Sequence, residues 1–203
     1  HHPLAVLTDP DVLATLPERE YRAGIQEVVK CGIIRSAPLF ELMRTRPVDV
    51  LAREPSVLEQ MIAGSVRIKC EVVSADEKEG GLRKILNFGH TVGHALEAET
   101  GYTHFLHGEA VGVGMRAAAH LSHLAGKLSE SDCRTMVETV NLYGPFPALD
   151  RLDVDQVASH LVKDKKTLQG SVHFVLATSI GETEVVSGID AATVKQAIRL
   201  SLQ

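Results

Sequence analysis

Asn87-Phe88-Gly89-His90-Thr91-Val92-Gly93-His94-Ala95-Leu96-Glu97, followed after a short loop by His107-Gly108-Glu109-Ala110-Val111-Gly112-Val113-Gly114-Met115, is the most informative part of this chain. Residues four apart on a helix share a face, so His90 and His94 point the same way. His107 opens a second helical pattern, which lets three imidazoles converge on one point. Glycine inside a helix costs roughly 1 kcal/mol relative to alanine. The pattern nevertheless puts Gly89 and Gly93 beside the first two histidines and Gly112 and Gly114 after the third. Two glycine-notched helices that each carry histidine are expected to pack closely and to wall a cleft.

The periodicity on either side of this stretch predicts a mostly helical domain. Pro17 suits a first helical turn, and Ile25, Val28, Val29, Ile33 and Ile34 recur at helical spacing behind it. Further helices are expected over residues 39–44, 56–74 and 84–100, the last stopped by Gly101. Two more are expected over 109–125, ended by Gly126, and over 130–143, where Ser129 and Asp132 have capping-box spacing. Pro145-Phe146-Pro147 is the clearest break. Residues 154–162 again look helical, 172–178 and 183–187 form a β-hairpin, and Asp190 caps a final helix to Leu202. Residues 3–8 read as a strand with no sequential partner, ended by Asp9-Pro10. The fold class is therefore mainly α: a multi-helix domain with a short β-hairpin near the C-terminus.

Composition narrows the function. With 203 residues, 44% of them apolar, the chain can bury a sizeable core, and its formal charge of -5 includes no long Lys/Arg run. Nucleic acid is thereby disfavoured and a small-molecule ligand favoured. The three cysteines, Cys31, Cys70 and Cys133, are isolated, which fits reduced thiols in a cytoplasmic protein. No membrane-length apolar run or targeting segment is visible.

Imidazole is the commonest ligand for a borderline metal such as Zn²⁺, and a catalytic site offers three protein ligands plus an open position. Glu27, set among apolar neighbours in Glu27-Val28-Val29-Lys30-Cys31-Gly32, needs a positive partner, and a metal would serve. The competing reading is that His90 and His94 pack, His107 is an N-terminal polar residue and Glu27 pairs with Lys30. His-x-x-x-His arises freely in helices, so spacing leaves both readings open.

The residues around the histidines carry a resemblance. Leu86 to Ala95, followed by His107-Gly108-Glu109-Ala110-Val111, resembles the signature of the 3-dehydroquinate synthases. Leu16-Pro17-Glu18-Arg19-Glu20, Glu27-Val28-Val29-Lys30, Asp76-Glu77-Lys78-Glu79, Gly81-Leu82-Arg83, Asp164-Lys165-Lys166 and Phe174-Val175-Leu176 follow in family order, so the likeness spans nearly the whole chain.

This resemblance implies one divalent metal, zinc or cobalt, held by Glu27, His90 and His107. It implies a role for His94 near a departing phosphate, with Asn87 close by, and a role for Lys30 and Glu79 at substrate hydroxyls. It assigns Lys69 and Arg83 to the substrate carboxylate and Lys165 to the phosphate, with Lys166 as the alternative. The implied reaction converts 3-deoxy-arabino-heptulosonate 7-phosphate to 3-dehydroquinate and phosphate in the shikimate pathway, which supplies aromatic amino acids. It runs through transient oxidation by NAD⁺, phosphate elimination, reduction and intramolecular aldol closure. Cys31 is read as core packing, and His104, His120, His123, His160 and His173 as surface or structural residues.

No glycine-rich phosphate loop followed by a ribose-binding acid occurs, and Gly112-x-Gly114 lies in a helical stretch. The resemblance therefore places NAD⁺ mainly on an amino-terminal domain. Residues 1–10 are read as a remnant strand of that domain, residues 11–203 as the metal- and substrate-binding domain, and the fragment alone as inactive. The resemblance also allows a homodimer and offers no role for nucleic acid or membrane.

Rival readings are the sugar-phosphate cyclases of the 2-deoxy-scyllo-inosose synthase and sedoheptulose 7-phosphate cyclase types, whose substrates lack the carboxylate, and a non-catalytic helical module. Iron-dependent alcohol dehydrogenases, with a related helical domain, fit Glu27 and Cys31 poorly.

Overall fold

In the computed structural model the described residues are 4–78, 80–165 and 172–203, with the side chains of 162–165 excepted. Among them the architecture is helical with one hairpin. The helices are α1 (Glu18–Arg35), α2 (Ala37–Thr45), α3 (Pro47–Leu51), α4 (Pro55–Ala75), α5 (His90–Glu99), α6 (His107–Leu124), α7 (Glu130–Asn141), α8 (Val154–Lys165) and α9 (Ala191–Ser201). Strands β1 (His173–Ser179) and β2 (Glu182–Ser187) pair antiparallel, with Phe174 opposite Val186 and Leu176 opposite Glu184.

α6 organises the rest. Its residues from Gly108 to Ala119 are buried on every face, so it behaves as a core helix rather than an amphipathic surface one. Val111, Met115, Ala118 and Ala119 join a core with Tyr21, Ile25, Val29 and Ile33 of α1, Phe40 of α2 and Met136 of α7. Ala110, Val113, Ala117 and Leu121 join a second core with Val92 and Leu96 of α5, Val157 and Leu161 of α8, Leu176 of β1 and Ile198 of α9. Full burial of a Val, Leu, Ile or Met side chain contributes roughly 1.5–3 kcal/mol. The two clusters thus clamp α6 from both sides.

Local signals explain the remaining elements. Ser129 accepts from the Asp132 amide and Asp190 from the Thr193 amide, capping α7 and α9 as their spacing suggests. The hairpin is anchored where the Gly181 amide donates to the Ile33 carbonyl and the Ala177 amide to Ser122 Oγ. The helix expected over residues 84–100 is divided. Leu82–Asn87 forms a 3-10 turn, and α5 begins only at His90, after Gly89 at φ +81°. Gly89 is therefore a left-handed residue at the N-cap and not a helix-interior glycine. Of the strand with no sequential partner expected at residues 3–8, residue 3 lies outside the described residues and 4–8 lie in no regular element, with Leu4, Val6 and Leu7 exposed. A strand requires a neighbour for its amides and carbonyls, and none of the described elements offers one there. α3, not foreseen, starts at Pro47, which suits a first helical turn.

The glycines of α6 set two backbone contacts. A Cβ on Gly114 would lie 1.9 Å from the Gly89 carbonyl oxygen, and one on Gly108 would lie 2.0 Å from that of Ala23. The first contact fixes α5 against α6 and the second fixes α1 against the start of α6. Gly114→Ala is expected to lower stability by about 1–3 kcal/mol, because a main-chain shift must accommodate one methyl group. Urea unfolding at constant m-value measures it.

Candidate metal and substrate site

Three helices bring the expected ligands together. Glu27 lies within α1, His90 is the first residue of α5 and His107 the first of α6. The start of α6 is latched to α1 through Glu109, whose Oε2 accepts from the Leu106 amide at 2.8 Å. Arg19 of α1 grips the same carboxylate with two bonds, Nε to Oε1 at 2.7 Å and a terminal nitrogen to Oε2 at 2.8 Å. Paired Arg–carboxylate bonds fix direction as well as distance. That latch, together with the Gly108–Ala23 contact, sets His107 over Glu27.

Glu27 Oε1 stands 3.8 Å from His90 Nε2 and 3.9 Å from His107 Nε2. The His90 ring is 5.4 Å from that of His94 and 5.2 Å from that of His107, so the three imidazoles do converge. Glu27 Oε2 accepts from Lys30 Nζ at 2.6 Å, and Lys30 is buried. The expected pairing of Glu27 with Lys30 is therefore present at Oε2, while Oε1 is turned to the two histidines. Oε1 is buried and has no hydrogen-bond partner. A buried carboxylate oxygen facing two imidazole nitrogens without a bond is costly unless a cation accepts from all three. Ligands of a tetrahedral zinc at about 2.0–2.2 Å lie roughly 3.3–3.6 Å apart, so a few tenths of an ångström of closure suffices. The donor set fits a divalent metal.

Electrostatics favours the ligand form of His90 and of Glu27. Burial, helped by the Lys30 charge, holds the His90 imidazole down to about 4, so Nε2 keeps its lone pair at neutral pH. Burial by itself pushes the Glu27 carboxyl up, but the Lys30 charge and hydrogen bond, with His90 and His107, bring it below the usual range.

The model for the C-terminal region of 3-dehydroquinate synthase matches residues 24–167. The chain belongs to this family. It is 54% identical to a 3-dehydroquinate synthase of Solibacter usitatus, with 100% of this chain aligned to 57% of that protein. It is 45% identical to that of Koribacter versatilis, with 98% aligned to 54%. The chain thus spans little more than half the length of these relatives. Among solved structures it is similar to 2-epi-5-epi-valiolone synthase from Streptomyces hygroscopicus with NAD⁺ and Zn²⁺ bound. That likeness has a TM-score of 0.86 and 26% identity, covering 95% of this chain and 54% of the other. A 2-deoxy-scyllo-inosose synthase complexed with carbaglucose-6-phosphate, NAD⁺ and Co²⁺ matches with TM-score 0.77 and 25% identity, covering 94% and 54%.

The other residues singled out by the family resemblance take varied positions. His94 is exposed, one turn along α5 from His90. Asn87 is exposed at the end of the 3-10 turn that leads into Gly89. Lys69 is exposed on α4 and close enough to Cys31, the neighbour of Lys30, for its charge to act on that thiol. Burial nevertheless dominates and pushes the Cys31 thiol up. Arg83 is half-buried; its guanidinium donates to the Glu77 carbonyl at 2.9 Å and its amide to Asp76 Oδ2 at 2.8 Å. Glu79 and Lys166 lie outside the described residues, and Lys165 ends α8 in a stretch whose side chains are likewise outside them. Cys31 is buried in the core, as expected. His104, His123 and His160 make structural contacts with the Ala148 carbonyl, the Leu128 carbonyl and Glu99.

Two contributors escaped the sequence reading. Arg19–Glu109 appeared there only as part of the family pattern. Glu97 was not singled out, although His94-x-x-Glu97 places a carboxylate on the histidine face of α5. Its Oε1 lies 3.2 Å from His107 Nδ1.

The shifts at His90 and Glu27 both make the metal-free protein less stable as pH falls. The folded state refuses a proton on His90 that the unfolded chain accepts below about 6.5, so stability falls as pH drops from 6.5 towards 4. Glu27, held below 4.5 when folded, adds a loss of the same sign at lower pH. Denaturant unfolding of chelator-treated protein between pH 7 and 4 is expected to show a decline on the order of 2–4 kcal/mol. His90→Ala is expected to remove most of the decline above pH 4.5.

Proposed function

We propose that this chain is the metal- and substrate-binding part of a 3-dehydroquinate synthase. In this reading, the enzyme takes 3-deoxy-arabino-heptulosonate 7-phosphate to 3-dehydroquinate and phosphate. The observation that carries the reading is the buried, unbonded Glu27 Oε1 facing Nε2 of both His90 and His107 in a chain of this family. Glu27, His90 and His107 would hold Zn²⁺ or Co²⁺, the metals bound in the two similar solved structures. When bound, the ion would supply Lewis acidity at substrate hydroxyls and so ease loss of a hydroxyl proton.

The chain's own residues would do the rest. Lys30, tied to Glu27 Oε2, neutralises the carboxylate, keeps its other oxygen turned to the histidines and offers a cation to substrate hydroxyls. Exposed His94 can hand a proton to the leaving phosphate, with Asn87 orienting that group. Lys69 and Arg83 are assigned to the carboxylate, Arg83 by virtue of its planar fork, while Glu79 is assigned to hydroxyls and Lys165 or Lys166 to the phosphate. NAD⁺ would be held mainly by a nucleotide-binding domain to which residues 1–10 connect, with 11–203 forming the domain described above. Free cysteines and the absence, among the described residues, of any helix long and apolar enough to cross a membrane support a cytoplasmic setting.

The test is made on the full-length protein with NAD⁺ and zinc or cobalt. Phosphate release from the carboxylated heptulosonate phosphate is expected, with little from carboxylate-free sugar phosphates; the reverse preference would assign a cyclase of the 2-deoxy-scyllo-inosose synthase type. His90→Ala is expected to lose the metal, read by elemental analysis, and to lower phosphate release by at least about 100-fold. Arg83→Ala is expected to raise KM for the carboxylated substrate more than it lowers kcat.

A further inference from the structure

Glu97 is a carboxylate with 9% of its surface exposed, and among the described residues it has no lysine or arginine partner. Among the described residues its one side-chain bond is to His107 Nδ1, at 3.2 Å. Burying an acid costs several kcal/mol unless a positive group or strong donor compensates it. Yet α5 keeps Glu97 on the face it turns to α6, directly beside the imidazole whose other nitrogen looks at Glu27.

We propose that Glu97 is a positioning residue for His107: it accepts the Nδ1 proton, fixes the tautomer with a free lone pair on Nε2, and aims that lone pair at the metal position. The inference rests on the metal reading of Glu27, His90 and His107. The two ring nitrogens of His107 are divided between two carboxylates, Nδ1 to Glu97 and Nε2 to Glu27 at 3.9 Å. His90 follows the same plan with a weaker partner, since its Nδ1 lies 3.3 Å from the Phe88 carbonyl and its Nε2 faces Glu27. Orientation matters more for His107, because its side chain is half-exposed whereas that of His90 is held by surrounding residues. A carboxylate behind a ligand imidazole also raises its basicity and relays part of the metal's charge, which gives the buried Glu97 its compensation.

Glu97 could instead be a ligand, since donor atoms of His94, Glu97 and His107 also lie within 4.8 Å of one another. An ion there would use the Glu97 carboxylate and His107 and leave Glu27 Oε1 unbonded. The positioning role uses every one of these atoms.

The experiment compares wild type, Glu97→Ala and Glu97→Gln of the full-length protein. Zinc affinity is read by chelator competition, the ligand field by the visible spectrum of the Co²⁺ form, and folding by circular dichroism. Wild type should bind one ion. Glu97→Ala should stay folded and bind it about 10–100-fold more weakly with an altered cobalt spectrum. Glu97→Gln, whose amide oxygen still accepts the Nδ1 proton, should recover most of the affinity. Nitrogen NMR of the metal-free wild type should show His107 protonated on Nδ1, a readout independent of any variant's folding.

Unchanged affinity in both variants, or a proton on Nε2, would overturn the positioning role while leaving the metal site intact. Two bound ions, one of them lost with Glu97→Ala, would make Glu97 a ligand and overturn it as well. No binding by wild type would overturn the metal reading itself.

Discussion

The closeness of α6 to the backbones of α1 and α5 is the constraint on which the rest of the structure depends. Gly108 lies on the Ala23 carbonyl and Gly114 on that of Gly89, with no room for a side chain at either point. Helix axes normally stand 8–10 Å apart, separated by side chains. Removing those side chains lets three helices approach until Glu27, within α1, meets His90 and His107 at the starts of α5 and α6. Glu27 Oε1 thereby stands 3.8 Å from His90 Nε2 and 3.9 Å from His107 Nε2. The glycines cost helix propensity, and the two apolar clusters on either side of α6 offset that cost.

The same geometry shapes the charge. Glu27 and Glu97 flank His107, Lys30 is buried against Glu27, and His90 is kept neutral by burial. Lys30 balances one carboxylate, and the site retains acceptors in excess. Such an arrangement is expensive for an empty protein and favourable around a divalent ion, so binding energy and folding energy are linked. The Arg19–Glu109 latch lies outside this set of donors but governs it, because it decides where α6 begins and so where His107 stands.

Much of the fold was legible in local patterns. Apolar spacing located the long helices, Ser129 and Asp190 marked two helix starts, and Ile180-Gly181-Glu182 marked the hairpin turn, because each signal acts within a few residues. The 3-10 turn before His90 was missed for a related reason: Lys84 to Leu96 keeps a helical apolar pattern, and only the packing of Gly89 against Val111 and Met115 requires the left-handed break. Residues 4–8 lie in no regular element, because strand pairing depends on a partner that none of the described elements supplies there. In the site, residue types and the four-residue spacing of the histidines were readable. Glu97 was not, since a helical Glu looks like a solvated charge until its burial is seen.

By itself the chain's order of residues determined the helical class, the hairpin, and a face of α5 bearing His90 and His94, all through periodicity and short-range chemistry. The tertiary structure alone decided that Glu27 meets His90 and His107 with one oxygen and Lys30 with the other. It also decided that His107 divides its nitrogens between Glu27 and Glu97, and that His94 remains open to solvent. The reason is physical. Periodicity fixes which way a side chain leaves its own helix, whereas burial, desolvation and the pairing of charges depend on atoms brought in from distant parts of the chain.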